Sequence, residues 1–430
     1  MKKLIQLKLK ILAKIILAKY KPEVIGITGS VGKTSAKEAI YTVLSAKFNV
    51  RRNIGNYNNE IGMPLTIIGA QSPGRSVFGW NFVFLNASKL ILIKNKKNTK
   101  NLFLENGVDR KRDMDYLNSI VKCNIGVITL IGPVHLEFFG SINNIQKEKG
   151  KLIKSLKKSG WAILNYDDEK VREMEKMTKN KVLTYGFHEK ADVKAQELVF
   201  SFEESKEIDN LLGINFKLNY NGAIAPVFLP AVIGYSAIYA SLAGASLGIT
   251  HSMNLVEISE ALRKFNSPKG RMNLVKGVKN TLIIDDTYNS SPQSATSALE
   301  VASKIPLEEG ARRFAVLGDM LELGSFSEEG HREVGRKVFR SKIDKLIVVG
   351  ERSRDIARGA KRIGMLSDNV FHFANTYNAG KFIQERISQG DLILIKGSQG
   401  MRMEKIVKEI MAEPLRAKEL LVRQGEEWKT

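Results

Sequence analysis

The sequence contains very little cysteine: Cys123 is its one thiol in 430 residues. A single thiol excludes an intramolecular disulfide and any zinc site built from a cysteine cluster, and it fits a reducing compartment. Long uninterrupted apolar runs are also missing, since lysines break the apolar segments near the start of the chain. The sequence therefore predicts neither a secretory signal peptide nor a membrane-spanning helix, and we expect a cytoplasmic protein.

Acidic residues are scarce relative to basic ones. The chain has 45 Asp and Glu against 67 Lys and Arg, which gives a formal net charge of +22. A basic protein attracts polyanions, so the charge predicts a partner such as nucleic acid, anionic lipid or a phosphorylated substrate. The alternative is a lysine-rich surface without such a partner. A hydrophobic content of 43% with 26% charged residues is typical of a globular protein, and the length indicates two or three domains.

Glycine is concentrated in the segment 24–35, VIGITGSVGKTS. A β-branched run, a glycine-rich turn and helical spacing follow one another there, which predicts a strand, a loop and a helix. Backbone N–H groups of such a loop bind phosphate oxygens, Lys33 would neutralise the β/γ-phosphates, and Thr34 would bind Mg²⁺. The strict Walker pattern needs glycine where the chain has Ile27. The segment therefore predicts a nucleotide site, and an ordinary turn with a solvated lysine is the alternative.

Polar residues follow two further predicted strands. Glu105 ends the apolar run that starts at Leu102, and His135 follows a Gly-Pro turn after the run 125–130. Ligands of open α/β sheets gather at the carboxyl ends of the strands, so both side chains are predicted to face the same phosphates as Lys33. A structural histidine is the alternative. The asparagine-rich loop 53–64 is predicted to bind a ligand through its side-chain amides.

The first 22 residues predict a basic amphipathic helix. One side of a helical wheel is basic and contains Lys3, Lys10, Lys14 and Lys21. The opposite side is apolar and contains Leu4, Leu7, Ile11, Leu12, Ile15 and Ile16. Such a helix either lies on an anionic membrane surface or docks on the protein's own core. Segment 76–93 is also rich in aromatic and aliphatic residues, and it is a second candidate for membrane contact.

Strand and helix patterns alternate through most of the chain, stop at the linker 266–271 (NSPKGR) and then restart. Beyond the linker, strands are predicted at 281–286, 313–318, 344–349, 369–373 and 391–396. An antiparallel ribbon is predicted within 191–229. The predicted fold class is α/β, with a P-loop-type doubly wound central domain followed by a Rossmann-like C-terminal α/β domain.

Eight segments together resemble one family, the Mur ligases, which are ATP-dependent enzymes that form amide bonds in peptidoglycan precursor synthesis. The segments are ITGSVGKTS (27–35), NYNNEIGMPLT (56–66), GPVHLEFFGS (132–141), EKGKL (148–152), GRMN (270–273), IIDDTYNSSP (283–292), VLGDMLELG (316–324) and IKGSQGMRME (395–404). They run in family order from about residue 22 to 412, and their joint occurrence is highly specific. They look most like the type of Mur ligase that adds D-alanyl-D-alanine.

After the basic amphipathic N-terminal helix over 1–22, the resemblance implies an ATP-binding central domain over 23–267 and a C-terminal domain over 268–430. It also implies a three-step reaction. ATP phosphorylates the terminal carboxylate of a muramoyl peptide, the amine of D-alanyl-D-alanine or a similar compound attacks the acyl phosphate, and phosphate leaves. Cations must screen the anions that meet in the first step. The implied cofactors are ATP and Mg²⁺, with two ions and a carbamylated lysine.

The resemblance also assigns roles to residues. The catalytic set is Lys33, Glu105, His135, Lys149 and Arg271. The ATP-binding set is Thr28, Gly29, Ser30, Gly32, Lys33, Thr34, Ser35, Asp286, Tyr288 and Asn289. The substrate-binding set is Asn58, Asn59, Lys396, Ser398 and Arg402. The metal-binding set is Thr34, Glu105, His135 and Lys149, the last as the carbamate.

Three departures from the family pattern concern substrate and nucleotide binding. The uridine-binding domain that usually precedes the P-loop is replaced by the basic helix, Ser236-Ala237 stands for a histidine-amide pair near the adenine, and Leu130 stands for an asparagine. The alternatives are another ligase of this fold, of the folylpolyglutamate type or an amidotransferase partner, and a non-catalytic membrane-associated scaffold. We expect a cytoplasmic monomer that binds no nucleic acid and touches the inner membrane face peripherally.

Overall fold

The computed structural model describes residues 2–53, 57–93, 101–134, 136–203, 208–425 and 428. Its strands form two sheets, one of nine strands from the first 230 residues and one of six strands from residue 273 onward. The α/β fold class that the alternating pattern predicts is confirmed by these two sheets and the helices between their strands. The domain boundary after residue 267 stays a prediction, and it falls between the last helix of the first half and the first strand of the second sheet.

The first half of the chain carries the nine-stranded sheet and ten helices among its described residues. In chain order these elements are α1 (Lys2–Tyr20), β1 (Glu23–Thr28), α2 (Lys33–Ser45), β2 (Val50–Arg52), α3 (Gly62–Ile68), α4 (Val77–Leu92), β3 (Asn101–Glu105), α5 (Asp113–Ile120), β4 (Ile125–Ile128), α6 (Leu136–Phe139), α7 (Ile142–Lys154), β5 (Trp161–Asn165), α8 (Glu169–Arg172), β6 (Lys181–Gly186), β7 (Val193–Phe202), β8 (Leu211–Tyr220), β9 (Ala223–Pro230), α9 (Tyr235–Thr250) and α10 (Leu255–Leu262).

The order of strands in the first sheet is β2-β3-β1-β4-β5-β6-β7-β8-β9. The strands from β2 to β7 run parallel, whereas β7, β8 and β9 form the antiparallel ribbon that the sequence predicts. β1 is buried between β3 and β4, with Ile27 beside Glu105 and Thr28 beside Ile128. The carboxyl ends of these three strands therefore meet at one edge of the sheet, where the glycine loop begins.

The second half of the chain carries the six-stranded sheet. Its elements are β10 (Asn273–Gly277), β11 (Thr281–Asp286), α11 (Pro292–Lys304), β12 (Arg313–Gly318), α12 (Ser327–Arg340), β13 (Lys345–Val349), α13 (Arg354–Arg362), β14 (Val370–Phe373), α14 (Thr376–Arg386), β15 (Leu392–Lys396), α15 (Glu404–Ile410) and α16 (Ala417–Leu420). The five strands predicted beyond the linker are confirmed by β11 to β15.

The second sheet has the order β10-β11-β15-β12-β13-β14, and only the edge strand β10 is antiparallel to its neighbour. β15 is the last strand in sequence but lies in the middle, between β11 and β12. This order places Asp286, at the end of β11, directly beside Lys396, at the end of β15. Polar residues that are far apart in the sequence therefore share one edge of this sheet as well.

The predicted N-terminal helix is confirmed by α1, which packs beside α3 and α4. It buries Leu9, Ala13 and Ile16 in the core cluster that also contains Trp80 and Val83 of α4. Of the apolar side predicted from the helical wheel, Ile16 is buried in this core, whereas Leu4, Leu7, Ile11 and Ile15 are exposed. Among the described residues, no helix is both long and apolar enough to cross a membrane.

Candidate active site

The loop between β1 and α2 forms a tight turn that depends on two glycines. Gly29 has φ of +151°, and a Cβ there would lie 2.0 Å from Thr129 Oγ1. Gly32 has φ of +87° and precedes the first residue of α2. Thr129 donates a hydrogen bond to Val31 O (2.6 Å), which fixes the loop against the end of β4. A side chain at Gly29 would push the loop off this strand, so the local geometry requires glycine.

Lys33 lies at the start of α2 and folds back over the loop. Its Nζ donates to Gly29 O at 2.7 Å and lies 3.5 Å from Ser30 O. Burial lowers the pKa of Lys33, and the guanidinium of Arg271 lowers it further, while the carboxylates Glu105 and Asp109 raise it. The ammonium group is thus held against carbonyl oxygens of the glycine loop, and its contact with phosphate stays a prediction.

Thr34 and Glu105 are brought together by the pairing of β1 with β3. Thr34 Oγ1 donates to Glu105 Oε1 at 3.2 Å, and Glu105 Oε2 lies 3.3 Å from Lys37 Nζ as an ion pair. Glu105 is 4% exposed and Lys37 is 1% exposed. The hydroxyl of Ser35, in the first turn of α2, is buried and has no hydrogen-bond partner within the described part of the chain. Carboxylate and hydroxyl oxygens are ligands that Mg²⁺ prefers in proteins.

Lys149 lies on α7 and is almost completely buried. Its Nζ donates to Val108 O at 3.1 Å. Burial lowers the pKa of Lys149 to about 7, and the positive charge of Lys33 adds to this effect. A large fraction of this amine is therefore uncharged near neutral pH, which is unusual for lysine. The interaction between the two amines places Lys149 in the same neighbourhood as the glycine loop.

His135 lies outside the described residues, so its predicted role as a metal ligand and catalytic residue stays a prediction. Within the described part of the chain, no group of three or more His, Cys, Asp or Glu side chains is close enough to hold a metal ion. The predicted roles of Thr34, Glu105 and Lys149 as metal ligands likewise stay predictions.

Residues of the second half of the chain lie close to the glycine loop, since the charge of Arg271 acts on Lys33. The guanidinium of Arg271 lies 4.2 Å from the centre of the Tyr288 ring, and its buried Nε has no hydrogen-bond partner among the described residues. A Cβ on Gly132, beside the loop, would lie 2.7 Å from Gln293 Oε1 of α11. Lys304 of α11 also donates to the hydroxyl at the start of α9. The two halves are therefore in contact around the predicted ATP site.

Asp286 and Lys396 form a buried ion pair, with Lys396 Nζ 2.6 Å from Asp286 Oδ2. The same amine donates to Asn289 O at 2.9 Å. Burial raises the pKa of Asp286 and lowers that of Lys396, and the attraction between the two groups opposes both shifts. The resemblance assigns Asp286 to ATP binding and Lys396 to substrate binding, and the structure joins them in one pair. Both roles stay predictions.

Arg402 belongs to a buried Arg-Glu-Arg arrangement. Its Nε donates to Glu404 Oε1 at 2.6 Å, and Arg423 near the end of the chain donates to Glu404 Oε2 at 3.0 Å. Arg423 also donates to Tyr288 O at 3.1 Å. The C-terminal segment therefore connects the predicted amine-binding residue Arg402 with the loop after β11 that carries the predicted nucleotide-binding residues.

The remaining predicted substrate residues are held by local contacts. Ser398 is buried, and its hydroxyl accepts a hydrogen bond from Leu321 N at 2.9 Å. The side-chain oxygen of Asn59 accepts from two backbone N–H groups at the start of α3. Asn58 packs against Gly107, whose N–H donates to Asn58 O at 2.8 Å. These contacts shape the loops on both sides of the site, and direct substrate contact by the three side chains stays a prediction.

Known proteins resemble this chain in both sequence and fold. Residues 27–78 and 84–225 match the Mur ligase middle domain, and residues 270–399 match the Mur ligase glutamate ligase domain. The UDP-N-acetylmuramoyl-tripeptide–D-alanyl-D-alanine ligase of Bacillus subtilis is 30% identical over 404 residues, which cover 94% of this chain and 79% of that protein. The chain belongs to the Mur ligase family.

Two further relatives support the assignment. The Escherichia coli ligase of the same name is 27% identical over 390 residues, covering 90% of this chain and 76% of that protein. The crystal structure of the MurF ligase from Thermotoga maritima in complex with ADP is 25% identical, with a TM-score of 0.76 over 95% of this chain and 84% of that one. This Mur ligase is accordingly an ATP-dependent enzyme that forms amide bonds.

Three residues of this Mur ligase that the sequence analysis missed lie in the site region. Lys37 on α2 pairs with Glu105, and Glu404 and Arg423 hold Arg402. Lys37 follows Lys33 by four residues on α2. Residues at this spacing lie on the same face of a helix, so the sequence indicates that both lysines face the same strand end. No sequence pattern predicts that Arg423 contacts Glu404, because this contact forms only when the C-terminal segment packs against the second sheet domain.

The start of α9 carries two residues at which the sequence analysis expects a departure from the family pattern, and that departure stays a prediction. Ser236 and Ala237 occupy its first turn, and Ala237 is buried. The rings of Phe187, Tyr235 and Tyr239 lie together at this point in edge-to-face contacts, with centroids 5.6 and 4.9 Å from the Phe187 centroid. An aromatic cluster therefore lies beside the two residues that the sequence analysis relates to adenine binding, and their effect on nucleotide binding stays a prediction.

Proposed function

We propose that this Mur ligase joins D-alanyl-D-alanine to the terminal carboxylate of a muramoyl tripeptide, with ATP hydrolysis driving the reaction. Relatives at 27–30% identity over nearly the whole chain carry this activity in their names. The observation that carries the proposal is the meeting of three strand ends, where the glycine loop, Lys33 and the bonded pair of Thr34 and Glu105 come together. This arrangement suits the transfer of a γ-phosphate.

The proposed reaction consists of phosphorylation of the carboxylate, attack by the amine and loss of phosphate. A carboxylate oxygen of the peptide attacks the γ-phosphorus, the bond to the β-phosphate oxygen breaks, and ADP leaves an acyl phosphate behind. The amine nitrogen of the dipeptide then attacks the acyl carbon, the bond to the phosphate oxygen breaks, and the nitrogen loses a proton. Lys33 stabilises negative charge in the first step, and Arg271 reaches the same phosphates from the second half of the chain.

Magnesium ions fit the donors that the site offers. Thr34 and Glu105 would hold a first ion. His135, carried over from the family, and a carbamylated Lys149 would hold a second. The lowered pKa of Lys149 suits carbamylation, since only the uncharged amine adds carbon dioxide. When bound, such ions neutralise the charge of the phosphates and of the attacking carboxylate.

The amine substrate is proposed to bind at the edge of the second sheet. The predicted residues there lie at or after the ends of two neighbouring strands: Lys396, Ser398 and Arg402 for β15, and Asp286, Tyr288 and Asn289 for β11. The nucleotide would lie between these loops and the glycine loop, with Asn58 and Asn59 on the acceptor side. Because both halves contribute, bound substrates would hold them together.

We also propose that the enzyme is a cytoplasmic monomer that contacts the inner face of the membrane peripherally. ATP is a cytoplasmic substrate, which supports the compartment. The exposed apolar residues of α1, with lysines beside them, support the contact with lipid.

The test is phosphate release from ATP with UDP-muramoyl tripeptide and D-alanyl-D-alanine, each alone and together. We expect turnover only with both, and a fall on the order of a thousandfold or more in Lys33→Ala. Lys154→Ala, on the lysine-rich α7 but at its end, is the matched control and should keep full turnover. Turnover with glutamate and a folate substrate instead would support the folylpolyglutamate alternative. ATP binding without turnover would support the scaffold alternative.

A further inference from the structure

α1 has two apolar faces, and only one of them is covered. Leu9, Ala13 and Ile16 point into the core, whereas four residues of the other face are 43–58% exposed: Leu4, Leu7, Ile11 and Ile15. With about 3.6 residues per turn, these four positions line up as one stripe along the helix, opposite the buried one. A helix that only docked on its own core would be polar on this outer face.

Lysines lie along both edges of the exposed stripe. Lys8 is on one edge, and Lys3 and Lys14 are on the other, and all three are exposed. The ammonium group of Lys8 lies 5.6 Å from the centre of the Phe84 ring. An apolar stripe between two rows of lysine is the pattern of a helix that lies in the plane of an anionic lipid surface.

The neighbouring helix α4 repeats the exposed stripe. Its inner face is buried, whereas four residues of its outer face are 65–88% exposed: Phe78, Phe82, Leu85 and Leu92. The two helices are joined where Lys19 donates to Leu90 O and Ile91 O, at 3.0 and 2.7 Å. We define the exposed stripes of α1 and α4, with Lys3, Lys8 and Lys14, as the two-helix surface.

We propose that the two-helix surface docks on an anionic lipid bilayer. This inference rests on the peripheral location proposed above and names the residues and the lipid chemistry that produce it. Exposed aromatic side chains gain free energy when they enter the acyl boundary, and lysines gain free energy beside acidic headgroups. The formal net charge of +22 makes the whole chain complementary to such a surface.

The bilayer is preferred to a protein partner because of how charge and apolar area are distributed. The lysines frame the apolar stripe of α1 instead of interrupting it, and no described acidic side chain is paired with Lys3, Lys8 or Lys14 in a salt bridge. Since none of the described helices can span a bilayer, the contact would be interfacial and reversible.

The test is flotation of the full chain with vesicles of phosphatidylcholine alone or mixed with phosphatidylglycerol. We expect binding to the mixed vesicles that weakens as salt rises, since exposed charges are screened beyond about 10 Å at 0.1 M salt. Each lysine contributes about fivefold to the partition coefficient, so Lys8→Gln with Lys14→Gln should lower it roughly 25-fold. Phe78→Ser with Phe82→Ser should lower it by about tenfold or more for each ring.

Matched controls come from the second half of the chain. Lys361→Gln with Lys381→Gln removes the same charge, and Leu366→Ser with Leu415→Ser removes exposed apolar area. Both control pairs should float like the unaltered chain. All variants should keep the turnover measured with soluble substrates, since none of the changed residues belongs to the proposed active site.

Equal flotation of control and surface variants would overturn the proposal. Equal binding to vesicles with and without phosphatidylglycerol would overturn it as well. A lipid-free dimer that dissociates in Phe78→Ser with Phe82→Ser would also overturn it, because the surface would then be covered by a second copy. Vesicle binding without ligase turnover would refute the proposed ligase activity but not the proposed lipid contact. Turnover without vesicle binding would refute the lipid contact but not the ligase activity.

Discussion

The buried ion pair between Glu105 and Lys37 allows the structural and catalytic roles of one carboxylate to be separated. Glu105→Gln removes the charge that Lys37 faces at 3.3 Å, and it also alters the partner of Thr34. Lys37→Met removes the other charge but leaves Thr34 and Glu105 in place. The double variant Lys37→Met with Glu105→Gln removes both charges together. These three variants form a complete thermodynamic cycle.

The size of the effect follows from the distance and the burial. Two unit charges at 3.3 Å attract by about 5 kcal/mol at an effective dielectric constant of about 20. Loss of one member of a buried pair costs about 3–5 kcal/mol, because the other charge remains in the interior. Lys37 keeps Glu38 at 3.7 Å, so we expect the lower value, about 3 kcal/mol, for Glu105→Gln. That corresponds to a fall in Tm of about 6–12 °C for a domain of this size.

The assay combines thermal unfolding with ATP turnover. We expect the double variant to recover most of the lost stability, because an uncharged pair of similar volume is tolerated in a core. Its turnover should stay low, since the carboxylate beside Thr34 is still missing. Lys47→Met with Glu257→Gln, an exposed ion pair, is the control and should change the free energy of unfolding by less than about 1 kcal/mol. Equal stability of the Glu105→Gln single and double variants would refute the coupling, and restored turnover would refute the catalytic role.

Three further predictions concern other parts of the chain. Lys149→Ala should lose turnover on the order of a thousandfold and regain part of it with acetate, which replaces the carbamate charge; full turnover without acetate would remove Lys149 from the site. Burial lowers the pKa of His251, but the bond to Glu23 at 2.8 Å outweighs it, so the pKa is raised. The resulting stability should be full below about pH 6.5 and lost as the pH rises through the raised pKa, and Tm measured against pH should lose this slope in His251→Gln. Arg423→Met leaves Glu404 with Arg402 alone, so KM for the dipeptide should rise about tenfold; an unchanged KM would separate the C-terminal segment from the amine site.

The glycine loop could be predicted from the sequence because its signal is local. A strand, a turn that needs positive φ and a helix follow one another within twelve residues, from Val24 to Ser35. Glu105 could be predicted by one further step, since parallel strands end at the same edge of a sheet. Its actual neighbour in the sheet, Ile27, required only that β3 lie beside β1.

The partners of the buried charges could not be predicted in the same way. Lys37 looks like one of many solvated helix lysines, and only the packing of α2 over β3 buries it beside Glu105. Asp286 and Lys396 are 110 residues apart, and the sequence analysis assigns them separate roles. Their pairing depends on the insertion of β15 between β11 and β12, which no local pattern determines.

The sequence also left open whether α1 meets the core or a membrane, and the structure shows why a wheel could not decide. An amphipathic pattern reports that a helix has an apolar side but not which neighbour covers it. In α1 the residues Leu9, Ala13 and Ile16 pack in the core, whereas the described part of the chain leaves the apolar residues of the other face exposed. Exposed apolar area of this kind is costly in water unless something covers it, and the lysines at its edges indicate an anionic cover.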